Sequence, residues 1–174
     1  YANDGTASNA GHVRIYVMYP PTISSVSLAS DNSTIAVTFS EAVYTTTDAS
    51  SALVVGDFAF SINGGTATLS SATPSSISIS GNVYTLGISL SGTPDGGETL
   101  TANPASATTI YDAADNAAAA SQSNNTATLN DKAAPSFATD YPATANVAGT
   151  SFDLKLKINE GGKGYYVVLA DNAT

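Results

Sequence analysis

In "TIAVTFS" (34–40), Ile35, Val37 and Phe39 occupy every second position, with Thr34, Ala36, Thr38 and Ser40 between them. Successive side chains of an extended strand point to opposite faces, so this spacing predicts a strand with one apolar and one polar side. The same alternation recurs at Phe58, Phe60 and Ile62 in "DFAFSIN" (57–63), and at Tyr84, Leu86, Ile88 and Leu90 in "NVYTLGISLSG" (82–92). Weaker copies stand at Val26/Leu28, Ala67/Leu69, Ile77/Ile79, Leu100/Ala102 and Ala127/Leu129. Turn chemistry bounds the runs: "SDNS" (30–33), "NGG" (63–65), "SGN" (80–82) and "PDGG" (94–97). One-sided strands must be covered by another sheet, so about eight of them predict an all-β sandwich.

Composition agrees. Of 174 residues only 11% are charged, and Ser, Thr, Asn and Gly, poor helix formers, supply most of the polar surface. Cysteine is absent, which removes disulfides and thiol chemistry. No run of eighteen apolar residues marks a membrane span, and the N-terminus lacks the basic-then-apolar pattern of an export signal. The net charge of −9 is concentrated: no Lys or Arg occurs between Arg14 and Lys132, while nine Asp and Glu do. Such a surface repels nucleic acid and anionic lipid and favours cations, which makes calcium the candidate cofactor.

Proline-bearing joints at "YPPT" (19–22) and "KAAP" (132–135) divide the chain into 1–19, 20–132 and 133–174. The first segment offers one strand, "GHVRIYVM" (11–18), with Val13, Ile15 and Val17 in phase. The last opens with the strongest strand pattern, "SFDLKLKINE" (151–160), whose Phe152, Leu154, Leu156 and Ile158 predict a core face; "GGKG" (161–164) then turns into "YYVVLA" (165–170). Neither flank can bury its apolar face alone, so the chain reads as open at both ends, cut from a longer series of modules or completed by neighbours.

Three stretches carry a family resemblance. "ANDGTASNAGHVRIY" (2–16) resembles the end of an FG-GAP repeat. "PTISSVSLASDNSTIAVTFSEAVYTT", "DFAFSINGGTATLSSA", "GGETLTANPASATTIYDAADNAA" and "SQSNNTATLNDKAAP" together resemble a bacterial immunoglobulin-like repeat of surface and adhesin proteins, the cyanobacterial swimming-motility type. The tail from Thr139 is similar to the start of a fibronectin-III-like or immunoglobulin-like module. The resemblance implies an immunoglobulin-like β-sandwich with an extra N-terminal strand and a partial C-terminal β module. It further implies an extracellular, cell-surface, multi-modular protein in which such repeats serve as stalk or spacer, and it brings no catalytic residues.

Candidate sites are few. In "IYDAADNAA" (110–118), Asp112 and Asp115 could offer oxygens to calcium, with Glu41 or Asp131 in support. The stretch lacks the D-x-D-x-D-G spacing of a dedicated loop, and calcium needs six to eight oxygens, so turn formation by Asp112 and Asp115 outweighs the metal reading. Asp4 in "NDGTASN" (3–9) reads as a turn. His12 is the only histidine and cysteine is absent, so no His/Cys zinc set can be assembled within the chain; His12 reads as a strand-edge residue, and enzymatic function is not expected. Glu41, just after a strand, suits a carboxylate that accepts backbone N–H groups at a strand corner. Tyr165 and Tyr166, adjacent on one expected strand, would point to opposite faces, leaving one to meet a surface glycan or protein ligand. Sequons at Asn32, Asn124 and Asn172 matter only where a glycosylation pathway exists.

The reading is therefore a structural, non-enzymatic stalk or spacer whose partners are neighbouring modules or copies of itself. Two alternatives stand beside it. One is a filament subunit in which Val13, Ile15 and Val17 form a donor strand that completes a neighbour's sheet. The other is an accessory module of a secreted hydrolase.

Overall fold

The computed structural model describes residues 19–168. The predicted strand at Val13, Ile15 and Val17, together with Asp4 and His12, lies outside them. Two compact units divide after Asp131. The chain is all-β, and no α-helix occurs among the described residues.

The first unit contains β1 (Ile23–Leu28), β2 (Thr34–Phe39), β3 (Phe58–Asn63), β4 (Thr68–Leu69), β5 (Ile77–Ser80), β6 (Val83–Gly87), β7 (Leu90–Ser91), β8 (Thr99–Pro104) and β9 (Thr126–Thr128). They form antiparallel sheets ordered β1-β2-β6-β5 and β3-β8-β9, with β4-β7 as a short pair. Register sets the apolar stripes side by side: Ile35 faces Leu86 and Val37 faces Tyr84, while in the second sheet Phe60 faces Ala102 and Ile62 faces Leu100. The stripes of the two sheets then meet. The Phe39 ring stands edge-on to Tyr84 at 5.6 Å and reaches Phe58 of the other sheet at 6.3 Å. Ile35, Val37, Leu86, Leu100, Ala102 and Ile110 are fully excluded from water. Each such large aliphatic or aromatic side chain contributes about 1.5–3 kcal/mol. The buried Tyr84 hydroxyl donates to Val43 O at 3.0 Å, so the core leaves no phenol unsatisfied there.

One predicted run divides. "NVYTLGISLSG" is two strands: β6 pairs with β2 and β5, whereas β7 pairs with β4. The change of partner occurs at Gly87 and Ile88, where Gly87 exchanges hydrogen bonds with Ser75 and Ser76, and Ile88 N–H turns to Ser33 O. A Cβ on Gly87 would meet both Ser75 Oγ and Ser76 Oγ, so any larger residue at the point where the strand switches sheets must displace both hydroxyls.

In the second unit β10 (Ala143–Ala148) pairs with β11 (Ser151–Lys155) across the two-residue loop Gly149-Thr150. Bonds from Ala138 N to Lys157 O and from Asn159 N to Ser136 O extend the hairpin. The β11 strand thus covers the first half of the predicted run 151–160, and its partner is the preceding segment and not 165–170, because a two-residue connection costs little loop entropy. The expected core face is not a core. Phe152, Leu154 and Leu156 are 49%, 37% and 42% exposed, since among the described residues the two-stranded hairpin has no second layer laid over it. Residues 161–168 belong to no strand, and Tyr165 and Tyr166 are both exposed, in contrast to the one-in, one-out arrangement predicted for them.

Candidate functional site

The loop 110–118 is held from within. Ile110 is buried, and Tyr111 exchanges backbone hydrogen bonds with Tyr44 at 2.8 Å in each direction. Asp112 is 2% exposed. Its Oδ1 accepts from Ala114 N and Asn116 N, and its Oδ2 from Asn116 Nδ2, all at 2.8 Å. Burial raises the carboxyl's affinity for protons, but these three bonds outweigh it and hold Asp112 below the ordinary carboxylate range. Asp115 is exposed and takes φ of 68°, the left-handed position of the turn.

As arranged, these residues do not fit calcium. Both Asp112 oxygens are engaged by N–H groups, which a cation would have to displace, and among the described residues no three His, Cys, Asp or Glu side chains gather as ligands. Glu41 and Asp131 therefore do not complete a site with Asp112 and Asp115.

The most enclosed carboxylate is one that sequence reasoning passed over. Glu98, fully buried, sits at the junction of the "NGG" and "PDGG" turns. Its Oε1 accepts from Thr66 N at 2.9 Å and Ala67 N at 2.8 Å; its Oε2 accepts from Gly96 N at 3.1 Å; Asp95 N lies 3.2 Å from both. Burial again opposes the charge, and the backbone bonds again prevail, so Glu98 titrates below its ordinary value. Gly65, at φ of 58°, makes the enclosure possible: a Cβ there would strike the Glu98 side chain. One signal could have revealed the residue. Glu98 stands in phase with Leu100 and Ala102, on the inward parity of β8, where a charge demands a partner.

Two other staples were also missed. Asp57 accepts from Val54 N at 2.8 Å, the corner role expected of Glu41. Asn32, buried in the β1–β2 turn at φ of 63°, accepts from Asn130 N and donates to Asn130 O, both at 2.8 Å, tying that turn to the chain after β9. Its amide is committed inside the fold, which closes this sequon to glycan in the native state.

No protein-family model matches the chain, and neither a curated protein nor a solved structure does.

Proposed function

We propose that the chain is a non-enzymatic spacer segment of an extracellular surface protein, with residues 20–132 acting as an immunoglobulin-like module in series with others. One observation carries this reading: the described part of the first unit begins and ends at opposite poles. At the entry, Thr22 N donates to Ser40 Oγ and Ile23 N to Gln122 Oε1. At the exit, Asn130 Nδ2 donates to Ala29 O and to Asn32 Oδ1, at the far end of β1. The six residues of β1 separate these poles by roughly 20 Å. A unit built in this way adds length to whatever it joins. The expected carboxylate chemistry also fits a support role, because Asp57, Glu98 and Asp112 hold loops in place through backbone N–H groups.

Pulling a tandem array of the chain in a force spectrometer tests the reading. A spacer should give discrete unfolding peaks, each releasing roughly 400 Å for residues 19–131 at about 3.6 Å per residue. Extension without resolved peaks would overturn it. An antibody against the first unit should label intact source cells; labelling only after lysis would remove the surface assignment.

A further inference from the structure

The geometry points to β11 as a self-recognition strand, through which two copies of the chain pair edge to edge and antiparallel. Among the described residues the β10–β11 sheet has two strands, and such a ribbon is marginal in water until a third or fourth strand joins it. Every residue from Ser151 to Lys157 is exposed, and among the described residues β10 is the only strand paired with β11, which leaves its outer edge and an apolar stripe open together.

Charge selects the occupant. Along β11 and the two residues after it, the parity opposite the apolar stripe carries Asp153, Lys155 and Lys157. In an antiparallel pairing with a second β11, opposed residue numbers have a constant sum, and each choice of sum fixes the charge contacts. Centring the two-fold axis on Asp153 opposes Asp153 to its own copy, and centring it on Lys155 opposes the two lysines at the axis while setting Asp153 against the second copy's Lys157. Parallel in-register pairing repeats both conflicts. Centring on Leu154 opposes Asp153 to the second copy's Lys155 and Lys155 to the second copy's Asp153. The same register sets Leu154 against Leu154 and Phe152 against Leu156 on the apolar face. The pairs at and beside the axis are then all favourable, with no like charges opposed; Leu154 meets its own copy once, and the pairs of Asp153 with Lys155 and Phe152 with Leu156 each appear twice by symmetry. Asp153 Oδ2 already accepts from Asn146 Nδ2 of its own hairpin, which steers the carboxylate without neutralising it. The product is a four-stranded sheet whose two central strands set their apolar stripes side by side, a pair closed about its own two-fold axis and not an endless filament.

The chain itself offers a competitor. Tyr166 and Val168 line a cleft along residues 150–156, so the segment 165–168 is placed to take the same edge.

Sedimentation of the whole chain over a range of concentrations separates the two occupants. A dimer is expected, weakened about tenfold or more by Asp153→Lys alone or Lys155→Asp alone, since each turns two attractive pairs into repulsive ones. Mixing these two variants should restore a heterodimer, and combining both substitutions in one chain should restore a homodimer. Because the chain has no cysteine, Leu154→Cys should cross-link to its own copy on oxidation, and Ser151→Cys, roughly 20 Å from its copy in this register, should not. A chain that stays monomeric, with segment 165–168 holding the edge, overturns the inference. So does a dimer indifferent to the single charge reversals, or equal cross-linking at 151 and 154.

Discussion

Replacing Glu98 by glutamine removes one oxygen and the charge while keeping the shape. Four backbone amides, those of Thr66, Ala67, Asp95 and Gly96, now converge on the carboxylate. Glutamine can satisfy about two of them; its NH₂ group meets the others donor to donor. An orphaned buried amide costs about 1–3 kcal/mol, so the expected loss is about 4 kcal/mol, a large share of the 5–15 kcal/mol by which a domain is stable. For a unit of this size that corresponds to a fall of roughly 15 °C in melting midpoint. The acid limb supplies an independent check. A carboxyl whose folded pKa lies below its unfolded value stabilises the native state fully above the unfolded value, and this contribution disappears as pH falls through the folded one. Stability of the wild type should therefore drop below about pH 4.3, the ordinary glutamate value, more steeply than that of Glu98→Gln. Thermal melts read by circular dichroism from neutral to acid pH measure both effects. A variant that melts within a degree or two of wild type, or that shows an unchanged acid slope, would refute the caged-carboxylate account.

Other substitutions probe the remaining staples. Asn32→Gly keeps the left-handed turn but removes three hydrogen bonds with Asn130, and urea titration should show a loss of about 2 kcal/mol. Gly65→Ala combines positive φ with a collision against Glu98, so it should cost about 3 kcal/mol and be strongly non-additive with Glu98→Gln in a double-mutant cycle. Asp112→Ala should lose about 2 kcal/mol, whereas Asp115→Gly, at an exposed left-handed position, should leave the urea midpoint unchanged or slightly raised. Millimolar calcium should not shift the melting midpoint; a rise that Asp112→Asn abolishes would restore the metal reading.

The strands were legible because alternation is a local signal. Ile35, Val37 and Phe39 mark an apolar face without reference to the rest of the chain, and the partner stripe at Phe58 and Phe60 does the same. What alternation cannot convey is the place where a strand changes partner. Ile88 and Leu90 continue the parity of Tyr84 and Leu86, yet the bend at Gly87 depends on Ser75 and Ser76, which pack against it only in the folded unit. Nonlocal pairing also hid the site. Asp112 meets partners two and four residues away, so its neighbourhood is visible in sequence, whereas Glu98 takes Thr66 and Ala67 across 32 and 31 residues. The failed core face of β11 has a third cause. Its pattern is correct for a half-buried strand, but the covering layer must come from outside the hairpin.

The absence of cations between Arg14 and Lys132 explains why the staples take the form they do. A carboxylate buried without Lys or Arg can be kept charged only by backbone N–H groups or neutral donors, and turns are where several unpaired amides point one way. Acidic residues in this unit are thus driven either to the surface or into loop junctions such as those of Asp57, Glu98 and Asp112. Gly65 of "NGG" follows from the same need, since a Cβ there would strike the Glu98 side chain that the amides enclose. With no disulfide available, these junctions take over the task of pinning turns. The module should consequently be indifferent to reducing agents and vulnerable to acid, the reverse of a disulfide-stapled surface domain.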